Sequence, residues 1–359
     1  MGMTNLVRQA CSLAVVGAFM AAAGPAWTGP LDGQKVRIAT WGGPWLEYHQ
    51  QAIQPKLEAL GATVEYVNAS PQDNLAKLIA AWGRGEAPFD TMEVLDAQWH
   101  LMQQGDFIQK LDLDIIENKK FLAREDWNEW RTGSWLTQEG ICYIKDYFEK
   151  EGIPIPDTYT DLRHPKLANR IIIPDISSGA GLAAFGGMAS AAGGDAKNIQ
   201  PGLDLVKSID VLKFWKRGAE VGVLFNTGDA QVGLVSAGWC SIFKKGGSNT
   251  AFVHPKINAD QRGVSKKGWL VVIKGTKVPE AANHYINAYL GHDFQNLYAH
   301  ESGLTPVNVP VLEKLGSDDP VVASMKLLKA EEVAKMLVID YSEADISDWS
   351  ERWTRSVQR

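Results

Sequence analysis

The chain reads as an α/β fold with a largely parallel sheet. Three observations point there. Short period-two runs such as Lys35-Val-Arg-Ile-Ala-Thr40 alternate with segments of helical spacing. Gly and Pro punctuate most of the junctions. The alternation continues over nearly the whole length, as βαβ units require.

The elements follow in order. Lys35–Thr40 is a strand, broken by Gly42-Gly43-Pro44. Trp45 to Leu60 has helical spacing and stops at Gly61. Thr63–Val67 is the second strand, Asp73–Trp82 a helix with Leu75, Leu78 and Ile79 on one face, and Phe89–Leu95 a third strand with Asp96 just past its end. Gly140–Ile144 is a strand, Tyr147–Glu151 a short helix closed by Gly152, and Arg170–Pro174 a strand feeding the small-residue turn Asp175–Gly181, which opens a helix. Leu203–Gly218 reads as a helix, Val232–Val235 and Trp269–Ile273 as strands, and Pro279–Leu290 as a helix. The last forty or so residues look helical, with Trp349 and Trp353 one turn apart.

The first 26 residues have the make-up of a secretory signal peptide. Arg8 is their one charge, Leu13–Ala23 is apolar, and Gly24-Pro-Ala26 is a small-residue exit. The run is short for a membrane span, which needs roughly 20 apolar residues. Cys11 precedes it and is badly placed for lipidation. The expected product is an exported, soluble chain starting near Trp27, long enough for two domains.

Composition is that of a globular protein, 45% hydrophobic and 22% charged. A net charge of −6 gives no reason to expect nucleic acid or an anionic membrane surface. The seven His are scattered and no C-x-x-C or H-E-x-x-H occurs, so no metal or other cofactor is expected. No G-x-S-x-G elbow or Cys/His pairing suggests an enzyme. Cys142 and Cys240 each lie in apolar, strand-like surroundings; an exported protein can pair them, and two buried free thiols are the alternative.

Five segments, in order, resemble bacterial periplasmic solute-binding proteins of the polyamine-binding type. They are Ile38-Ala-Thr-Trp-Gly-Gly43; Gly140–Phe148 with Gly152-Ile-Pro-Ile-Pro156 and Asp161-Leu-Arg-His-Pro-Lys-Leu167; Val232–Trp239; Lys274–Ala282; and Ser302–Asn308. The resemblance implies a two-lobed periplasmic-binding-protein fold of type II, with two crossover strands and a ligand cleft between the lobes. It places one lobe at residues 31–138 plus 270–359 and the other at 139–269. It also implies hinge closure on a small solute, delivery to the membrane permease of an ABC importer, a periplasmic setting and a monomer.

Candidate ligand contacts are residues at the carboxyl ends of strands, where open α/β sheets bind ligands. Trp41, Trp239 and Trp269 offer aromatic faces. For Trp239 and Trp41 the picture is a floor and lid, while Trp269 sits at the second crossover. Asp96 faces the cleft or caps a helix. Asp175, Ser177 and Ser178 form the turn that opens a helix, whose N–H groups favour an anion or a carbonyl oxygen. Ser241 stands two residues after Trp239, where the resembling proteins carry an acid.

Charge separates the candidate solutes. A desolvated ammonium must be paired, yet the expected acid positions hold Ser177, Ser178, Gly179 and Ser241, and Lys266 and Lys267 precede Trp269. A neutral, zwitterionic or anionic solute is therefore expected rather than spermidine or putrescine. The alternatives are a true polyamine binder, a ferric-ion binder using Tyr143, Tyr147 or Tyr159, and an exported enzyme on the same scaffold.

Overall fold

The computed structural model describes residues 29–315 and 330–357. The expected signal segment lies outside them. The first half begins with β1 (Lys35–Thr40), α1 (Pro44–Ala52) and α2 (Gln54–Ala59). The single helix expected over Trp45–Leu60 is two, because Pro55 has no N–H and a new helix starts beside it. Then come β2 (Thr63–Asn68), α3 (Pro71–Trp82), β3 (Thr91–Leu95), α4 (Asp96–Gln104) and β4 (Ile108–Gln109).

β5 (Thr132–Ile144) is 13 residues long and starts well before the expected strand at Gly140. It is followed by α5 (Lys145–Glu151), β6 (Ile171–Pro174), α6 (Gly181–Ala191) and α7 (Gln200–Lys207). The expected Leu203–Gly218 helix ends early. Val211–Trp215 forms β7, parallel to β6, and α8 (Gly218–Thr227) follows. Next are β8 (Val232–Ser236), α9 (Ala237–Lys245), β9 (Thr250–Val253) and β10 (Val264–Ile273). The chain continues through α10 (Pro279–Leu290), α11 (His292–Ser302), β11 (Thr305–Pro306), α12 (Val309–Lys314) and β12 (Leu337–Val338) to a C-terminal helix, Ile346–Ser356.

The main sheet runs β2-β1-β3-β10-β5-β8-β6-β7. It is mixed rather than largely parallel. β2-β1-β3 and β8-β6-β7 are parallel trios, and between them β5 and β10 run antiparallel to each other and to their outer neighbours. β10 pairs with β3 through Gly268–Val272 and with β5 through Val264–Leu270, and β5 pairs with β8, so the two long strands join the trios through each other. Their register shifts between Lys267 and Trp269, at Gly268. A Cβ on Gly268 would stand 2.5 Å from the Ser134 hydroxyl and 2.7 Å from the Trp135 ring, so a larger residue cannot sit there without displacing them.

Period-two burial on two covered faces builds the core. In the first trio, Met92, Val94, Trp269, Val271 and Ile273 pack with α3 and α4. Leu95, Leu270 and Val272 pack with α10 and α11 on the other face. In the second trio, Ile141, Ile171, Ile173 and Leu234 share one cluster, and Cys142, Ile172, Val235 and Cys240 another. The C-terminal helix puts Trp349 and Trp353 against Phe185, inside the cluster of the second trio. The expected boundaries grouped that helix with 31–138; its packing is with residues 141–264.

Cys142 and Cys240 are joined by a disulfide that ties β5 to α9. Both are fully buried.

Candidate functional site

The parallel trios point their carboxyl ends at the region between them. Trp41 follows β1, Asp96 follows β3, Asp175 follows β6 and Trp239 lies in the first turn after β8. A cavity of 210 Å³ opens there. Asp96, Ala97 and Leu101 wall it from α4; Ser178, Gly179, Leu182 and Ala183 wall it from α6 and its preceding turn; Lys266 of β10, Tyr341 and residues of α3 are among the others that line it. A larger hollow of 760 Å³ lies between Gln109–Ile115 and Pro279–Asn283, within the first of two bodies, the one built on β2-β1-β3; the other is built on β8-β6-β7.

Of the residues nominated by the sequence, Asp96 and Ser178 line the cavity between the bodies. Asp96 is the first residue of α4, not its cap; the Leu95 N–H is met by the Gln98 side chain. The Asp96 carboxylate accepts the Lys267 backbone N–H at 2.8 Å and the Trp269 indole N–H at 2.5 Å. Ser178 is 7% exposed, and its hydroxyl has no hydrogen-bond partner. Ser177 does not cap α6, which starts at Gly181 after Ala180 with no side-chain cap. Its N–H and hydroxyl go to Asp175, at 3.0 and 2.5 Å. Asp175 is buried and shapes the turn.

The aromatic candidates separate. Trp41 is half-buried, with ring centroids 5.7 Å from Trp135 and 6.2 Å from Trp45. Trp239 is 38% exposed, stacked on Phe243 at 5.7 Å and lying over Gly218. Its helix is set by the Ser236 hydroxyl, which accepts the Trp239 N–H. The same first turn meets the first body, where a Cβ on Gly238 would come 2.5 Å from the Gly303 carbonyl oxygen. Ser241, one turn inward, is buried.

Trp269 is buried, not a cleft face. The Arg131 guanidinium lies 3.6 Å from its ring centroid and 4.4 Å from that of Trp99. Burial brings Arg131 down to about 10, against the pull of Asp96 and Asp126, so it stays charged at neutral pH. Lys267 beside it pairs with Asp126. These groups pin the strands at the crossover.

Burial raises the Asp96 carboxyl above its usual range, opposed by the Lys267 and Trp269 hydrogen bonds and by the charges on Arg131 and Lys267. A raised folded-state value means that the folded protein holds the proton longer than the unfolded chain. The stability from this group is full below the unfolded value of about 3.9 and is lost as pH rises through the folded value. The difference in melting temperature between the native protein and Asp96→Asn is expected to drift against the native protein as pH rises from about 4. A difference independent of pH would contradict this.

Sequence reasoning noted Lys266 only for its sign and missed Glu139 and Trp135. Lys266 donates to the Gly179 carbonyl at 3.0 Å, lies 3.5 Å from Glu139 and stands over the Trp135 ring at 5.6 Å. Glu139 and Trp135 fall in the half of β5 whose polar sequence hid the strand. The tyrosines weighed as iron ligands are spent on structure: Tyr143 packs on Phe148, Tyr147 donates to the Lys166 carbonyl, and Tyr159 is fully buried. Among the described residues no group of three or more His, Cys, Asp or Glu is placed to hold a metal ion, and no helix is long and apolar enough to cross a membrane.

Comparisons with known proteins agree with this architecture. An ABC transporter structure from Clostridium perfringens ATCC 13124 superposes over 89% of this chain and 99% of that one, with a TM-score of 0.72 at 20% identity. A putative spermidine/putrescine ABC transporter protein from Listeria monocytogenes gives 0.69 at 19% identity, over 91% of this chain and all (100%) of that one. The binding protein MotA from A. tumefaciens B6, in complex with glucopine, gives 0.65 at 20% identity, over 90% and 99%. At these identities the likeness shows the two-lobed fold of periplasmic binding proteins. The search of curated proteins finds no match. The family model described as bacterial extracellular solute-binding protein matches residues 51–328. With that match running over most of its length, the chain belongs to the bacterial extracellular solute-binding proteins.

Proposed function

We propose that the protein is the solute-binding component of an ABC importer, working in the periplasm and delivering to a membrane permease. It captures a small neutral, zwitterionic or anionic solute by closing two lobes about β5 and β10. The lobes are residues 31–138 with 270–315, and 139–269 with the C-terminal helix. The observation that carries this reading is the cavity between α4 and α6, which takes its walls from both parallel trios and has Lys266 of the crossover strand beside it.

The charge of the solute follows from how the nearby acids are engaged. Asp96 is held by Lys267 and Trp269, Asp175 by Ser177, Glu139 by Lys266 and Thr137, and Asp126 by Lys267. A polyamine would compete with these partners for every carboxylate. A solute with a carboxylate, hydroxyl or amide is offered the Ser178 hydroxyl, buried in the cavity wall without a hydrogen-bond partner, and the Lys266 ammonium instead. Structural neighbours as different as a glucopine complex and a putative spermidine/putrescine ABC transporter protein support a scaffold whose cleft side chains set the solute.

Two measurements test the reading. Small-angle scattering with the solute recovered from freshly purified protein is expected to give a smaller radius of gyration than the stripped protein; an unchanged radius would count against closure. Trp41→Ala and Trp239→Ala, just past the carboxyl ends of β1 and β8, are each expected to weaken binding of that solute by about 1–3 kcal/mol while leaving folding intact. Full affinity in both variants would remove these residues from the contact surface.

A further inference from the structure

We propose that Lys266 sets the charge selectivity of the cleft by holding its own ammonium in a subsite that would otherwise take an amine solute. The inference rests on the cleft reading above and adds the residue that decides solute charge. Three partners surround the Lys266 Nζ. The Gly179 carbonyl accepts from it at 3.0 Å, a Glu139 carboxylate oxygen lies 3.5 Å away, and the Trp135 ring centroid lies 5.6 Å away. A carbonyl, a carboxylate and an aromatic face are the groups that replace water around an ammonium.

The subsite is built. The side chains of Glu139 and Lys266 are 3% and 14% exposed, and Trp135 is buried. Glu139 is steadied by the Thr137 hydroxyl, which donates to it at 2.5 Å. Lys266 and Gly179 both line the cavity between the bodies. The other cations nearby are committed elsewhere: Lys267 to Asp126, and Arg131 to the faces of Trp99 and Trp269. Truncating Lys266 therefore leaves a buried carboxylate beside an aromatic face with no cation of its own, in a space shaped for an alkylammonium.

The test is chemical complementation. Lys266→Ala removes a three-carbon amine, and n-propylamine restores it. Calorimetric titration is expected to show Lys266→Ala binding n-propylamine and putrescine at least about tenfold more tightly than the native protein. Its lowered melting temperature should recover with n-propylamine, which leaves the native protein unmoved. Lys266→Arg should exclude both amines, and Lys266→Ala/Glu139→Gln, which carries no uncompensated buried charge, should fold and bind neither. Tight putrescine binding by the native protein would overturn the proposal. So would a folded Lys266→Ala that gains no amine affinity, or a double variant that keeps it. Amine binding by the variants reports the subsite alone; scattering reports closure, so the two readings fail separately.

Discussion

Removing the Cys142–Cys240 disulfide is expected to lower stability by about 3–5 kcal/mol. The two residues are 98 positions apart in sequence. Releasing a loop of that length returns close to the largest chain entropy that one crosslink withholds from the unfolded state, about 4.7 kcal/mol for 100 residues in the chain-entropy model. The bond also joins β5, which both bodies share, to α9, whose first turn carries Trp239. Cys142→Ala/Cys240→Ala is the better variant, since serine would bury two hydroxyls beside Ile172 and Val235. Urea unfolding should show the loss in the variant and in the reduced native protein. A loss below about 1 kcal/mol in both would contradict the expectation.

Glu93→Ala is expected to cost a similar amount, about 3–5 kcal/mol. Glu93 is 1% exposed, in the middle of β3. One carboxylate oxygen accepts from the Thr40 hydroxyl and from the Trp45 indole at 3.0 Å, and lies 3.3 Å from the His49 ring. The other accepts from the Trp135 indole at 3.3 Å and from the Tyr289 hydroxyl at 3.1 Å. Truncation strands these donors among Phe294, Tyr285 and Tyr298, where water does not reach them. Glu93→Gln should cost less, because Tyr289 can accept from the new amide while the Trp135 N–H loses its acceptor. The expected order of denaturant midpoints is native, Glu93→Gln, Glu93→Ala. Because Trp45 and Trp135 flank Trp41, Glu93→Gln should also weaken solute binding. A Glu93→Ala protein as stable as the native one would mean that these donors find other partners.

Elements with local signals were legible. β1 and β3 alternate with period two, and Pro279–Leu290 is a helix at the expected residues because Pro279 starts it and Gly291 ends it. The five resembling segments placed the two crossovers and the cleft. What failed was non-local. The run Thr132–Gln138 is rich in Ser, Thr and Gln, which suggest a loop; it is a buried strand because β10 on one side, and β11 with Gln295 and Tyr298 on the other, supply the pairing. β7 was hidden because Val211–Trp215 extends the apolar spacing of the preceding helix, and a short apolar run does not declare its period.

The site was legible in part for the same reason. Strand ends put Asp96 and Ser178 at the wall of the cavity between α4 and α6. Glu93, by contrast, occupies an alternating polar position that reads as a solvent-facing one. Its partner Tyr289 lies 196 positions away, beyond any local pattern. Lys266 was noted for its sign alone; its pairing with Glu139 across β5 and its reach to Gly179, 87 positions distant, belong to the tertiary structure.

The solute proposed for this cleft is small and is not a polyamine. Mass spectrometry of what freshly purified native protein releases on denaturation checks this. The expected result is one compound, near one per chain, neutral, zwitterionic or anionic at pH 7. Stoichiometric release of putrescine or spermidine would contradict the account.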